Sequence, residues 1–132
     1  VLRAVQAEFS CGFCTDAQGA QTIGKTFRES RYLLDTHTAV ACTVLDAYRA
    51  ETGDQTLTVV ESTASPFKFC ASVLDALGVT EHAPGTGVLG QLTAETGRPA
   101  PTPLASLAGK PVRFDQVTDR GDMRAVVTEF LR

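Results

Sequence analysis

Apolar positions along this chain recur mostly at helical spacing. Met123, Val126, Val127, Phe130 and Leu131 fall at i, i+3, i+4, i+7 and i+8, the clearest amphipathic stripe in the sequence. Asp119 stands before it as a cap, with Asp122 in the first turn where a negative charge opposes the helix dipole. A second helix opens at Asp35 or Thr36, carries Val40, Ala41, Val44, Leu45 and Tyr48 on one face, and stops at Gly53. A third takes Ser65 as cap and Pro66 as first residue, turns Cys70, Val73, Leu74 and Leu77 inward, and closes at Gly78. Ile23 and Phe27 mark a helix from Asp16 to about Ser30, capped at Thr15-Asp16 and weakened by Gly19 and Gly24. Gly87 to Thr96 reads as a short helix around Val88, Leu89 and Leu92. Three prolines stiffen the loop at 97–103, and Leu104 to Leu107 adds one helical turn.

Two segments break the helical period. Gln55 to Val60, rich in β-branched residues, predicts a short strand, and the continuous apolar run Val59-Val60 suits burial on both faces. Val112 to Phe114 predicts another. Strands alternating with helices imply an α/β domain, helices packed on a small, mostly parallel sheet, with residues 1–132 as one domain. Two strands are few for a complete domain of that class. Together with a start at Val1, this leads to the expectation of a C-terminal portion whose remaining strands lie in a missing N-terminal portion.

Composition narrows the classes. At 132 residues with 43% hydrophobic content, the chain has enough material for one real core. A net charge of −3 without a basic stripe argues against nucleic acid as a partner. No apolar run reaches the roughly 18 residues of a membrane span, and no leader pattern opens the sequence. A cytoplasmic location without membrane association is therefore expected. Cys11-Gly12-Phe13-Cys14 has the spacing of a redox dithiol or half a zinc site. It falls in a loop without a second close pair, since Cys42 and Cys70 stand singly in helix patterns and His37 and His82 have no ligand spacing. No metal site is assigned; the thiols read as small hydrophobes.

The most informative chemistry lies after the first predicted strand, at Glu61-Ser62-Thr63-Ala64-Ser65-Pro66. Ligands of open α/β sheets sit beyond strand carboxyl ends, near helix N-termini. Ser62 and Thr63 could offer hydroxyls to such a ligand, or form an ordinary turn while Ser65 caps the helix. His37, at the start of its own helix, could cap, pack against the Thr63 loop or contact a ligand phosphate.

Asp35-Thr36-His37-Thr38-Ala39, followed by Ser62-Thr63-Ala64-Ser65-Pro66-Phe67-Lys68-Phe69, resembles the C-terminal part of threonine synthase. That family carries D-P-H-T-A and T-A-H-P-A-K-F segments opening successive helices. Glu95-Thr96-Gly97-Arg98-Pro99-Ala100-Pro101 and Lys110-Pro111-Val112-Arg113 resemble its T-G-x-P-x-P and K-P-V-R tail, so the resemblance covers roughly residues 8 to 132. Thr36, Ser65 and Phe67 depart from the family pattern; Ser65 still supplies a cap where the family has histidine.

The resemblance implies an incomplete part of a fold-type-II enzyme that uses pyridoxal 5'-phosphate to convert O-phospho-L-homoserine and water into L-threonine and phosphate. It places Thr63 opposite the pyridine nitrogen, as the cofactor-binding residue. The cofactor's lysine belongs to the family's N-terminal half, so Lys25, Lys68 and Lys110 are not assigned to it and no catalytic residue is assigned in this chain. The glycine-rich phosphate cradle is also missing; Gly85-Thr86-Gly87 reads as a helix-entry loop. The chain alone should be inactive, and surface that meets the missing portion should favour self-association. The alternatives are a stand-alone binding or regulatory module of the same fold, and a thiol or zinc module using Cys11 and Cys14.

Overall fold

A computed structural model describes all residues, 1–132. Seven α-helices form: α1 Leu2–Glu8, α2 Asp16–Ser30, α3 Thr36–Thr52, α4 Cys70–Ala76, α5 Gly87–Thr96, α6 Thr102–Ala105 and α7 Met123–Phe130. Short 3-10 turns at Pro66–Lys68, Ser106–Gly109 and Arg120–Asp122 lead into α4, follow α6 and lead into α7.

The expected α/β architecture is not observed: the chain is helical, with no strand and no sheet. Gln55–Val60 and Val112–Phe114 form no backbone hydrogen bonds with each other or with any other segment. The physical reason is that β-propensity becomes a strand only when a neighbour supplies the other half of the ladder. Of the run expected to be buried, Val59 is 84% exposed and Val60 half-buried, and the neighbouring Leu57 is 92% exposed.

Local signals do explain the helices. Thr15 and Gln18 form a reciprocal capping box on α2: Gln18 N–H donates to Thr15 Oγ1 at 3.3 Å, and Thr15 N–H to Gln18 Oε1 at 2.8 Å. Helix α3 is capped by Asp35 and ends at Gly53, whose φ of 73° is the left-handed conformation glycine adopts without a Cβ penalty. Ser65 accepts from Phe67 N–H, and Pro66 stands first, but the segment makes one 3-10 turn before α4 instead of a continuous α-helix. Helix α1, which the sequence pattern did not predict, is exposed throughout.

The core lies among α2, α3, α4 and α5. Ile23, Leu34, Ala39, Phe67, Cys70, Val73, Leu74 and Leu92 form one buried cluster. Gly24 permits the closest approach, since a Cβ there would sit 2.6 Å from the Ala76 carbonyl oxygen. It therefore serves packing rather than merely weakening α2. Thr22 and Thr43 share a 2.7 Å hydroxyl contact between α2 and α3. The inward face of α3 is Thr38 and Ala39, while Val40 and Ala41 of the predicted face are exposed. Val44, Leu45 and Tyr48 are half-buried beneath the Cys11–Phe13 segment. Beyond α5, Arg98 donates to the Arg31 carbonyl at 2.9 Å, holding the proline-rich loop against the end of α2. Helix α7 forms as its periodicity predicts, yet Met123, Val127 and Phe130 stay largely exposed.

Candidate functional site

The start of α3 and the turn 61–64 meet through side chains. Asp35 is 1% exposed and divides its oxygens between two tasks. Oδ1 accepts the His37 and Thr38 amides at 2.8 and 3.1 Å, satisfying two otherwise orphaned donors of the first helical turn. Oδ2 accepts the Thr38 hydroxyl and, at 3.3 Å, the Ser62 hydroxyl. Thr38 Oγ1 and Ser62 Oγ also lie 3.0 Å apart, so the three side chains close a triangle. Burial pushes the Asp35 carboxyl toward its neutral form. The Thr38 hydroxyl and amide, the His37 amide and the Ser62 hydroxyl outweigh that effect and hold it below the usual carboxylate range.

Ser62 and Thr63, adjacent in sequence, stand in different circumstances. Ser62 is engaged by Asp35 and Thr38, whereas Thr63 is exposed and its hydroxyl makes no hydrogen bond within the chain. A free neutral hydroxyl can donate to or accept from a ligand's ring nitrogen without adding charge. His37 stays exposed, and its ring meets Phe69 edge-to-face with centroids 5.0 Å apart. That packing joins the first turn of α3 to the entry of α4. Lys68 is exposed on the 3-10 turn between Ser65 and α4.

Cavities flank α3 on two sides. One of about 440 Å³ runs between α2, α3 and α4, lined by Cys14, Asp16, Thr36, Phe69, Ser72 and Asp75. Another of about 420 Å³ lies under Cys11 and Phe13 against Val44, Leu45 and Tyr48. Neither includes Ser62 or Thr63. All four cysteines are free, and no three His, Cys, Asp or Glu side chains converge as metal ligands. Burial raises the Cys42 and Cys70 thiols, with Asp46 and Asp35 adding to the effect at Cys42, which keeps both in the unreactive protonated form.

The Asp35–Thr38 pair was accessible to sequence reasoning as an Asp followed three residues later by a hydroxyl at a helix start. Its partner Ser62 lies 27 residues from Asp35, and no local pattern announces that tie.

Comparison with known proteins adds a lineage. Residues 38–128 match the family described as threonine synthase, C-terminal. Threonine synthase-like 1 of Mus musculus is 34% identical over 82 residues, covering 61% of this chain and 10% of that protein. Threonine synthase-like 1 of Homo sapiens is 31% identical over 81 residues, again 61% of this chain and 10% of the relative. The chain thus spans about a tenth of the length of the curated relatives it matches. No helix is long and apolar enough to cross a membrane.

Proposed function

The chain belongs to the threonine synthase C-terminal family, and from that premise we propose that it works as the C-terminal part of a pyridoxal-phosphate enzyme converting O-phospho-L-homoserine and water into L-threonine and phosphate. The observation that carries this reading to a residue is the unengaged Thr63 hydroxyl beside the anchored Ser62. Thr63 fits a pyridine nitrogen as a neutral partner, whereas a carboxylate there would favour the protonated ring. When bound, the cofactor supplies an electron sink for carbanion chemistry.

The role of this chain's residues is positioning. Asp35, Thr38 and Ser62 fix the turn, and Thr63 presents a hydroxyl that orients the ring and leaves its charge unforced. The resemblance places the cofactor's lysine and phosphate cradle in the family's N-terminal half, so both are assigned to the remainder of a longer polypeptide, and the 132-residue chain alone is expected to be inactive. Its partner is that remainder, seated on the exposed apolar residues around Leu57 and Val59. A cytoplasmic setting, where thiols stay reduced, suits four free cysteines.

The test is phosphate release from O-phospho-L-homoserine by the complete natural polypeptide that carries this segment. Turnover is expected. Thr63→Ala should lower kcat/KM about tenfold or more, the value of one lost hydrogen bond near the reacting system. Thr63→Asp should shift the cofactor absorbance toward the protonated-ring form. Unchanged turnover and spectrum in both variants would remove Thr63 from the site. Cofactor binding without any turnover would favour the non-catalytic module.

A further inference from the structure

We infer that Asp35 is a positioning residue for the turn that carries Thr63, acting through the hydroxyl of Ser62. The turn needs an external anchor, because residues 61–64 make no backbone hydrogen bond to any part of the chain. Hydrogen bonds reach it at Ser62 Oγ, 3.0 Å from Thr38 Oγ1 and 3.3 Å from Asp35 Oδ2. These ties cross 24 and 27 residues of sequence and join an exposed turn to a carboxylate that is 1% exposed.

Proton counting identifies the hub. Thr38 and Ser62 each have one hydroxyl proton and the two amides each have one. Four donors converge on two carboxylate oxygens, so the ionised carboxylate is the acceptor that satisfies the set. With both hydroxyl protons on Asp35 Oδ2, Thr38 Oγ1 and Ser62 Oγ lie side by side at 3.0 Å, held together by the carboxylate they share. Committing Ser62 inward also determines which of the two neighbouring hydroxyls remains free for a ligand.

Asp35 has two separable tasks. Asparagine at this position can keep an oxygen toward the His37 and Thr38 amides, preserving the cap. It then presents an NH₂ donor where Oδ2 accepted from Thr38 and Ser62, reversing the polarity of the tie. Ser62→Ala removes the tie from the other end and leaves the cap intact.

The consequence for cofactor binding rests on the reading of Thr63 given above; the anchoring of the turn does not. The experiment is limited proteolysis of the complete natural polypeptide with a glutamate-specific protease, following cleavage after Glu61 and the deuterium uptake of α3 by mass spectrometry, in wild type, Asp35→Asn, Ser62→Ala, Ser62→Thr and Thr63→Ala. Pyridoxal-phosphate affinity and absorbance are measured on the same samples. Cleavage after Glu61 should be at least tenfold faster in Asp35→Asn and Ser62→Ala, while α3 beyond its first turn keeps its protection from exchange. Ser62→Thr should keep cleavage slow, and Thr63→Ala should leave it unchanged. Ser62→Ala should also weaken cofactor binding in the same direction as Thr63→Ala.

Unchanged cleavage after Glu61 in both tie variants would overturn the inference. So would faster cleavage with cofactor binding altered by Thr63→Ala but not by Ser62→Ala. If neither variant alters cofactor binding although the turn loosens, the Thr63 reading itself fails while the anchoring of the turn stands measured.

Discussion

At the scale of single residues, Asp35 carries the most. Its carboxylate caps α3 and receives two hydroxyls inside the protein. Asp35→Ala would lose the cap and strand Thr38 and Ser62. Cap loss costs about 1 kcal/mol, and leaving the buried Thr38 donor unsatisfied about 1–3 kcal/mol. Denaturant unfolding should register a loss of roughly 2–4 kcal/mol, mostly in the midpoint. The acid behaviour follows from the lowered carboxyl. A carboxylate that holds its proton less tightly when folded contributes stability fully above its unfolded pKa of about 3.9. That contribution disappears as pH falls through the lower folded value. The stability gap between wild type and Asp35→Asn should therefore narrow on acidification below about pH 4. A constant gap would show that the ionised form is not what matters.

Thr63 shows where residue-level legibility stops. Its position after an apolar segment suggested a turn, and only the family resemblance distinguished it from Ser62. The structure separates the two by engagement, since one hydroxyl is tied down and the other is free.

At the scale of elements, helices α2 to α5 were legible because their signals are local. A capping box at Thr15 and Gln18, an aspartate cap before α3, a serine and proline before α4, and left-handed glycines after α3 and α5 each act within a turn or two. The two expected strands were not, because a strand depends on a partner that no local residue specifies. The face of α3 follows its periodicity only in part, with Val44, Leu45 and Tyr48 half-buried. Thr38 and Ala39 point into the core, where small residues fit against α2 and hydroxyls find partners, while the apolar Val40 stays at the surface. Gly24 likewise read as a helix defect and turns out to be a packing requirement. A methyl group there collides with backbone at Ala76, which cannot swing away as a side chain could. Gly24→Ala should raise the intrinsic propensity of α2 yet destabilise the protein by about 1–3 kcal/mol, the usual cost of overpacking. Thermal unfolding decides the sign; a higher melting temperature would mean that α2 and α4 separate freely.

At the scale of the whole molecule, one buried cluster is surrounded by much apolar surface. Leu57, Val59, Val112, Phe114 and Phe130 are each more than three-quarters exposed. Such surface in an isolated 132-residue chain favours association, so multi-angle light scattering should find oligomers that grow with concentration. Leu57→Thr with Val59→Thr should reduce that tendency if the apolar segment drives it. A monodisperse wild-type monomer would contradict the expectation. The chain spans only about a tenth of the length of its curated relatives.

The proposed meeting of Thr63 with the pyridine nitrogen of pyridoxal phosphate is tested most directly by the nitrogen chemical shift of ring-¹⁵N-labelled cofactor bound to the complete natural polypeptide. The expected result is a hydrogen-bonded, unprotonated nitrogen whose resonance moves in Thr63→Ala and shifts toward the protonated position in Thr63→Asp. Identical nitrogen shifts in wild type and both variants would contradict it.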